Sequence, residues 1–288
     1  DPVGTRIRVG YLSADFRDHP VSHLLAATLE SHDRTRFEII GLSSHQVTEA
    51  DPMTRRLMGT FDQFEVLSAL SDRKAAEHIR SLNVDILVDL NGLTAGERPA
   101  ITAARPAPVQ VNFLGYPGTL GASHYDYVVA DGGVIPAGSE AHYTEAVVRL
   151  PVPLLPPGDC RPDHLVSPGR AALSLPEDAV VLAAFHSGFK VSPDVFWIWM
   201  RLLRDQPRAV LWMSAASERG RSRLRSAAAQ AGVSADRIVF ADRIPDRRDH
   251  LHRLTEADLL LDTPVYNSHS SALDALWCNV PIVTAQST

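Results

Sequence analysis

The sequence predicts an α/β fold built on parallel strands, and three observations carry that prediction. Short β-branched runs alternate with helical patterns almost from end to end. Most of these runs are continuously apolar, as strands covered by helices on both faces must be. The rhythm also stops once, in a proline-rich stretch near the middle, and then restarts, which argues for two α/β units.

In chain order, the first series of strands is RIRVGYL (6–12), FEIIGL (37–42), FDQFEVL (61–67), VDILVDL (84–90) and PVQVNFL (108–114). Helical spacing fills gaps between them, as in VSHLLAATLESH (21–32) and DRKAAEHIRSL (72–82). The stretch 152–178 carries six of the chain's 20 prolines and suits an extended connector. Beyond it come AVVLAAF (179–185), a helix from Pro193 to about Arg204, AVLWMS (209–214), a helix near 218–231, RIVF (237–240), a helix near 246–256 and ADLLLD (257–262). The expected organisation is an N-terminal lobe over 1–155, a linker over 156–178 and a C-terminal lobe over 179–288. The last lobe reads as incomplete, because PIVTAQST closes the chain where a doubly wound unit normally continues.

Composition narrows the partners. At 288 residues with 45% hydrophobic and 22% charged side chains, the chain can bury two cores. A net charge of −6 argues against a nucleic-acid groove or an anionic membrane surface. An anionic ligand must then be held by local cations and backbone dipoles. Cys160 and Cys278 fit no zinc or redox spacing, which suits a reducing compartment. There is no membrane-length apolar run and no signal peptide, so the cytoplasm is the expected location.

Five stretches could carry chemistry. DTPVYNSHSSALDALW (262–277) crowds Asn267, Ser268, His269, Ser270 and Ser271 at a strand-to-helix junction. Helix amides there are unpaired and the dipole favours an anion. Asp274 lies one turn in, where its carboxylate could accept hydrogen bonds from ribose hydroxyls. By itself this stretch also reads simply as a capped helix. AFHSGFKVSP (184–193) leaves a strand and offers Lys190 to a phosphate. In PDRRDHLHR (245–253), His250 and Arg253 share a helix face with Arg247 in the first turn, suited to a base and ribose or merely to solvent. SADFRDHPVSHLL (13–25) puts His19 just before Pro20 at a strand-to-helix mouth, a place for a general base or for a cap. FLGYPGTLG (113–121) is a glycine turn that permits close backbone approach. Metal-ligand spacing is unpersuasive, since His250 and His252 face opposite sides of a helix. Neither a GxxxxGK[ST] loop nor a GxSxG elbow is present.

In this order, RIRVGYLSADFRDHPVSHLL, VDILVDLNGLTAG, RPAPVQVNFLGYPGT, AFHSGFKVSP and LDTPVYNSHSSALDALW resemble the O-GlcNAc transferase family, in the form of a bacterial member. The resemblance covers nearly the whole chain. It implies a GT-B architecture of two Rossmann-like lobes and an inverting, metal-independent transfer of GlcNAc from UDP-GlcNAc to serine or threonine of proteins. It implies no cofactor beyond that donor substrate, and tetratricopeptide repeats upstream in the intact protein. By motif, His19 matches the histidine facing sugar and acceptor, and Lys190 the lysine at the diphosphate. His269, Ser270 and Ser271 match a His-Thr-Thr at the diphosphate, Asp274 the ribose aspartate, and Arg247, His250 and Arg253 positions around uridine. Ser187 stands where the family often has glutamine, Arg247 where lysine is common, and Leu82 and Asp85 differ from animal members. Three alternatives differ in kind: a SPINDLY-type transfer of fucose from GDP-fucose, a nucleotide-sugar epimerase such as a UDP-GlcNAc 2-epimerase, and a non-catalytic solute-binding protein.

Overall fold

The computed structural model describes residues 6–158, 164–214 and 217–285, so that Cys160 and the last three residues of PIVTAQST lie outside the described residues. The chain divides into two compact units, residues 1–160 and 161–288. In the first, β1 (Ile7–Ser13), β2 (Phe37–Ser43), β3 (Gln63–Val66), β4 (Ile86–Asp89), β5 (Val109–Asn112), β6 (Tyr127–Asp131) and β7 (Ala146–Leu150) form one sheet in the order β3-β2-β1-β4-β5-β6-β7. Every pairing is parallel. Strands β6 and β7 and the helix α2 (Pro52–Thr60) are elements beyond those the periodicity predicts. The other helices of this unit are α1 (Pro20–Glu30), α3 (Asp72–Ser81) and the short α4 (Pro99–Ala103).

The second unit holds β8 (Val180–Ala184), β9 (Ala209–Ser214), β10 (Ile238–Ala241), β11 (Leu259–Leu261) and β12 (Ile282–Val283), ordered β10-β9-β8-β11-β12 and again parallel. Its helices are α5 (Pro193–Asp205), α6 (Glu218–Gln230), α7 (Arg247–Leu254) and α8 (Ser270–Trp277). Alternate residues of β8 and β9 serve opposite cores. Leu182, Ala184 and Met213 pack with α5 and α6, while Val181, Ala183 and Trp212 pack with α7 and α8. Proline sets the helix starts at Pro20, Pro52, Pro99 and Pro193, where its missing N–H is no loss.

One expectation needs correction. The proline-rich stretch is not an extended spacer in its second half. Leu165, Leu173 and Leu175 pack on the β8/α7/α8 core, and Arg170 bonds the Glu177 and Ala179 carbonyls and pairs with Asp258. Prolines there interrupt any regular period without preventing burial.

Both sheets reverse direction at one place, between β1 and β4 in the first and between β8 and β11 in the second. Such a switch point splays the loops at the carboxyl ends of the strands apart and is where open α/β sheets bind ligands.

Candidate active site

In the second unit, the loop after β8 carries Lys190 and the loop after β11 leads into α8, so the two flank the switch point. They meet directly: Lys190 Nζ donates to the Asn267 carbonyl at 3.2 Å and lies 4.3 Å from the centre of the Tyr266 ring. Tyr266 in turn packs against His269, ring centres 5.4 Å apart. His269 occupies the N-cap position of α8 without making a side-chain cap, which leaves the helix start open to a ligand anion. Lys190 and His269 thus stand against the same Tyr266 ring, with Ser270 and Ser271 opening α8 directly after His269.

The crowding of polar residues before α8 has a reason the sequence did not reveal. Asp262, only 8% exposed, is the hub of the loop. Its Oδ1 accepts from the Thr263 amide at 2.8 Å, the Ser268 amide at 2.8 Å and the Ser268 hydroxyl at 2.6 Å. Its Oδ2 accepts from Asn267 Nδ2 at 2.9 Å and the Thr284 hydroxyl at 2.6 Å. Asn267 and Ser268 therefore build the loop from within, while His269, Ser270 and Ser271 form the uncapped start of α8. Burial alone would raise the Asp262 pKa, but these bonds outweigh it and hold it at about 2. His186 joins the hub, its Nε2 2.7 Å from the Leu261 carbonyl and its Nδ1 3.3 Å from Ser268 Oγ.

On the other side of the switch point, α7 and α8 pack together. Arg247 Nη2 meets Asp274 Oδ1 at 2.6 Å, and Asp274 is 7% exposed. The aspartate expected to face a ribose is engaged by an arginine of α7, so any hydroxyl it accepts must share that carboxylate. Arg253 is buried, bonds His250 Nδ1 at 3.0–3.2 Å and the Asp242 carbonyl at 2.5 Å, and stands 5.2 Å from the centre of Phe185. Phe185 also contacts His250 and Trp212 edge-on. Arg247, His250 and Arg253 thus form a partly buried aromatic-backed wall, not a solvated basic face.

Burial pushes the His250 pKa down to about 4, and the charges of Arg253 and Arg247 push the same way. A histidine with a folded pKa below its ordinary 6.5 is neutral in the native state. Its stabilising contribution is complete above pH 6.5 and is lost as pH falls toward 4. His186 and His269 are lowered too, chiefly by burial. Urea unfolding of the wild type is expected to weaken by on the order of 2 kcal/mol between pH 7 and pH 4.5 relative to His250→Gln. Equal pH dependence in the two proteins would refute this assignment.

In the first unit, His19 is the N-cap of α1, with Nδ1 accepting the Val21 amide at 3.3 Å. A cap made by Nδ1 leaves the neutral ring's proton on Nε2, so the exposed edge of His19 presents a donor. Asp15 Oδ2 lies 3.7 Å from Nδ1 but is bonded by Asn91 Nδ2 at 3.0 Å, while Asn91 Oδ1 accepts from the Ala14 amide at 2.7 Å. The Asp15–Asn91 pair ties the β1 and β4 loops across that unit's switch point. Burial lowers the His19 pKa, Arg17 and His23 add to the lowering, and Asp15 opposes it. Glycines permit the close packing of the loops after β4 and β5: a Cβ on Gly115 would stand 1.9 Å from the Leu90 carbonyl oxygen, and Gly92 has φ +55°.

Two parallel α/β units, with Lys190 and the start of α8 meeting at a switch point, give this chain the GT-B type of α/β fold. The chain belongs to glycosyl transferase family 41, whose profile matches residues 2–156 and 154–288. It is 35% identical over 97% of its length to the probable UDP-N-acetylglucosamine–peptide N-acetylglucosaminyltransferase SEC of Arabidopsis thaliana, covering 29% of that protein. It is 31% identical over 96% of its length to the probable UDP-N-acetylglucosamine–peptide N-acetylglucosaminyltransferase SPINDLY of Solanum lycopersicum, covering 30%. A mutant of the Thermobaculum terrenum O-GlcNAc transferase superposes with a TM-score of 0.90 at 33% identity, over 99% of this chain and 54% of that one. The chain thus spans about a third of the curated relatives and about half of the solved one. No helix among the described residues is long and apolar enough to cross a membrane.

Proposed function

We propose that this chain is the catalytic region of an inverting protein O-GlcNAc transferase, which moves GlcNAc from UDP-GlcNAc to serine or threonine hydroxyls without a metal. The observation that carries this is the open start of α8 facing Lys190, with the α7 wall of Arg247, His250 and Arg253 beside it. In the reaction the acceptor oxygen bonds to C1 of the sugar from the face opposite UDP, and the C1–O bond to the diphosphate breaks with its electrons. The charge that grows on UDP is met by the Lys190 ammonium, by His269 and by the α8 amides and hydroxyls of Ser270 and Ser271. These groups are cations and donors, a set that neutralises a diphosphate directly. In the first unit His19 presents an Nε2–H donor, and the acceptor proton passes to a donor phosphate oxygen or to water. Asp274 and the uridine-side wall fix the nucleoside.

The partners under this reading are the nucleotide sugar and a protein acceptor, with tetratricopeptide repeats preceding the catalytic region and a cytoplasmic location. The buried Cys278 thiol, its pKa raised to about 12 by burial, is consistent with a reducing compartment. Calorimetry with UDP and GDP tests the donor. UDP is expected to bind at least about tenfold more tightly. Preference for GDP would transfer the reading to a fucosyltransferase of the SPINDLY type.

A further inference from the structure

The second unit has a cavity of about 610 Å³ on the α5/α6 side of its sheet, the side away from the α7 wall. Its floor is Phe196, Met213 and Leu224, and its rim carries Trp197, 43% exposed. Ile198, the next residue of α5, is also exposed but does not line the cavity. His186 lines the cavity and contacts Ser268, so it shares a wall with the diphosphate loop.

The charge around it is one-sided. Helix α6 carries Arg219, Arg221, Arg223 and Arg225 against a single Glu218, in a chain whose net charge is −6. Spacing sorts them into two faces. Arg221 and Arg225 lie over Phe240, and Arg221 also pairs with Asp242. Arg223 lines the cavity and Arg219 is one turn before it, both exposed and without an ion pair among the described residues. An apolar pocket of this size with Arg223 on its lining and Arg219 one turn further along α6 fits an apolar side chain flanked by carboxylates.

We propose that this cavity docks the acceptor protein: an acidic segment that inserts one aromatic or aliphatic side chain beside Trp197 and sets its carboxylates against Arg219 and Arg223. This rests on the reading of the chain as a protein glycosyltransferase. Docking next to the diphosphate loop holds a hydroxyl-bearing segment near the donor without any contact to the reacting atoms, so it acts on KM and not on kcat.

The test uses a short fluorescent serine peptide with one tryptophan among glutamates, and the same peptide with glutamines. Fluorescence anisotropy is expected to show the glutamate peptide binding the wild type about tenfold more tightly. The paired changes Arg219→Glu and Arg223→Glu should abolish that preference while calorimetry shows unchanged UDP affinity. Trp197→Ala should weaken both peptides. Equal affinity of the two peptides for the wild type, or a preference that survives the paired reversal, overturns the proposal. So does a dimer in sedimentation that the reversal dissolves, which would assign this face to a second copy of the chain. Because binding needs no turnover, a protein that binds the acidic peptide but never glycosylates it refutes the catalytic reading alone. Transfer to both peptides with equal KM refutes the docking site alone.

Discussion

Replacing Lys190 with alanine is expected to lower kcat by about 10²- to 10³-fold, with a smaller rise in the KM for UDP-GlcNAc. Under the proposed function the diphosphate diester already bears charge in the ground state, which Lys190, His269 and the α8 amides would share. As the C1–O bond breaks, a further unit of charge moves onto the diphosphate, and only groups already facing it stabilise that change. The Lys190 ammonium is partly desolvated by its position against Tyr266 and the Asn267 carbonyl, which lowers its pKa although the Asp262 carboxylate opposes the shift. A partly desolvated cation acts on charge more strongly than a hydrated one. Arginine in its place would keep the charge but not the compact ammonium on a single carbonyl and ring, so Lys190→Arg should recover little. The alanine variant loses one hydrogen bond and a ring contact, and its melting temperature should barely move. Steady-state kinetics on folded protein decide the matter: an unchanged kcat removes Lys190 from the reaction.

How much of this was legible in the chain follows from where its apolar side chains go. Strands such as Val180–Ala184 and Ala209–Ser214 are buried on both faces and read as continuous apolar runs. Strand β7 lies at the sheet edge with two of its five residues exposed and the rest half-buried, and β6 next to it buries only alternate residues and ends in Asp131, so neither has that signature. Helix α2 buries only Thr54 and Leu57, too little for a helical period to show. The site divides the same way. Lys190, His269 and the arginines of α7 announce themselves by charge beside strand ends. Asp262, His186 and the Asp15–Asn91 pair do not, because their roles depend on partners from other strands: His186 reaches Leu261, and Asp15 reaches Asn91 from 76 residues away. Ring contacts that only the fold creates likewise hid Tyr266.

Asp262 carries the second large expected effect. Its five acceptor bonds connect the end of β11, the loop before α8 and the stretch after β12, and its charge opposes the burial that lowers the pKa of both Lys190 and His269. Asp262→Ala orphans the amides of Thr263 and Ser268 at a buried position and removes the counter-charge. A loss of about 3–5 kcal/mol in unfolding free energy is expected, with nucleotide binding no longer measurable. Asp262→Asn separates the two roles. The amide oxygen can still accept from Thr263 and Ser268, but its NH₂ then faces Asn267 Nδ2, donor against donor, and the negative charge is gone. The expected loss is about 1–3 kcal/mol of stability and about 10- to 100-fold in UDP affinity, read by urea unfolding and by calorimetry on the same samples. The pH dependence separates a charge effect from a packing effect. With a folded pKa near 2, below the ordinary carboxylate value, the native aspartate stabilises fully above pH 4 and loses that contribution only as pH falls through about 2. At pH 7 the full gap between the wild type and the Asp262→Asn variant is therefore present. If Asp262→Asn matches the wild type in both stability and UDP affinity at pH 7, the loop is held by its backbone alone and the carboxylate is incidental.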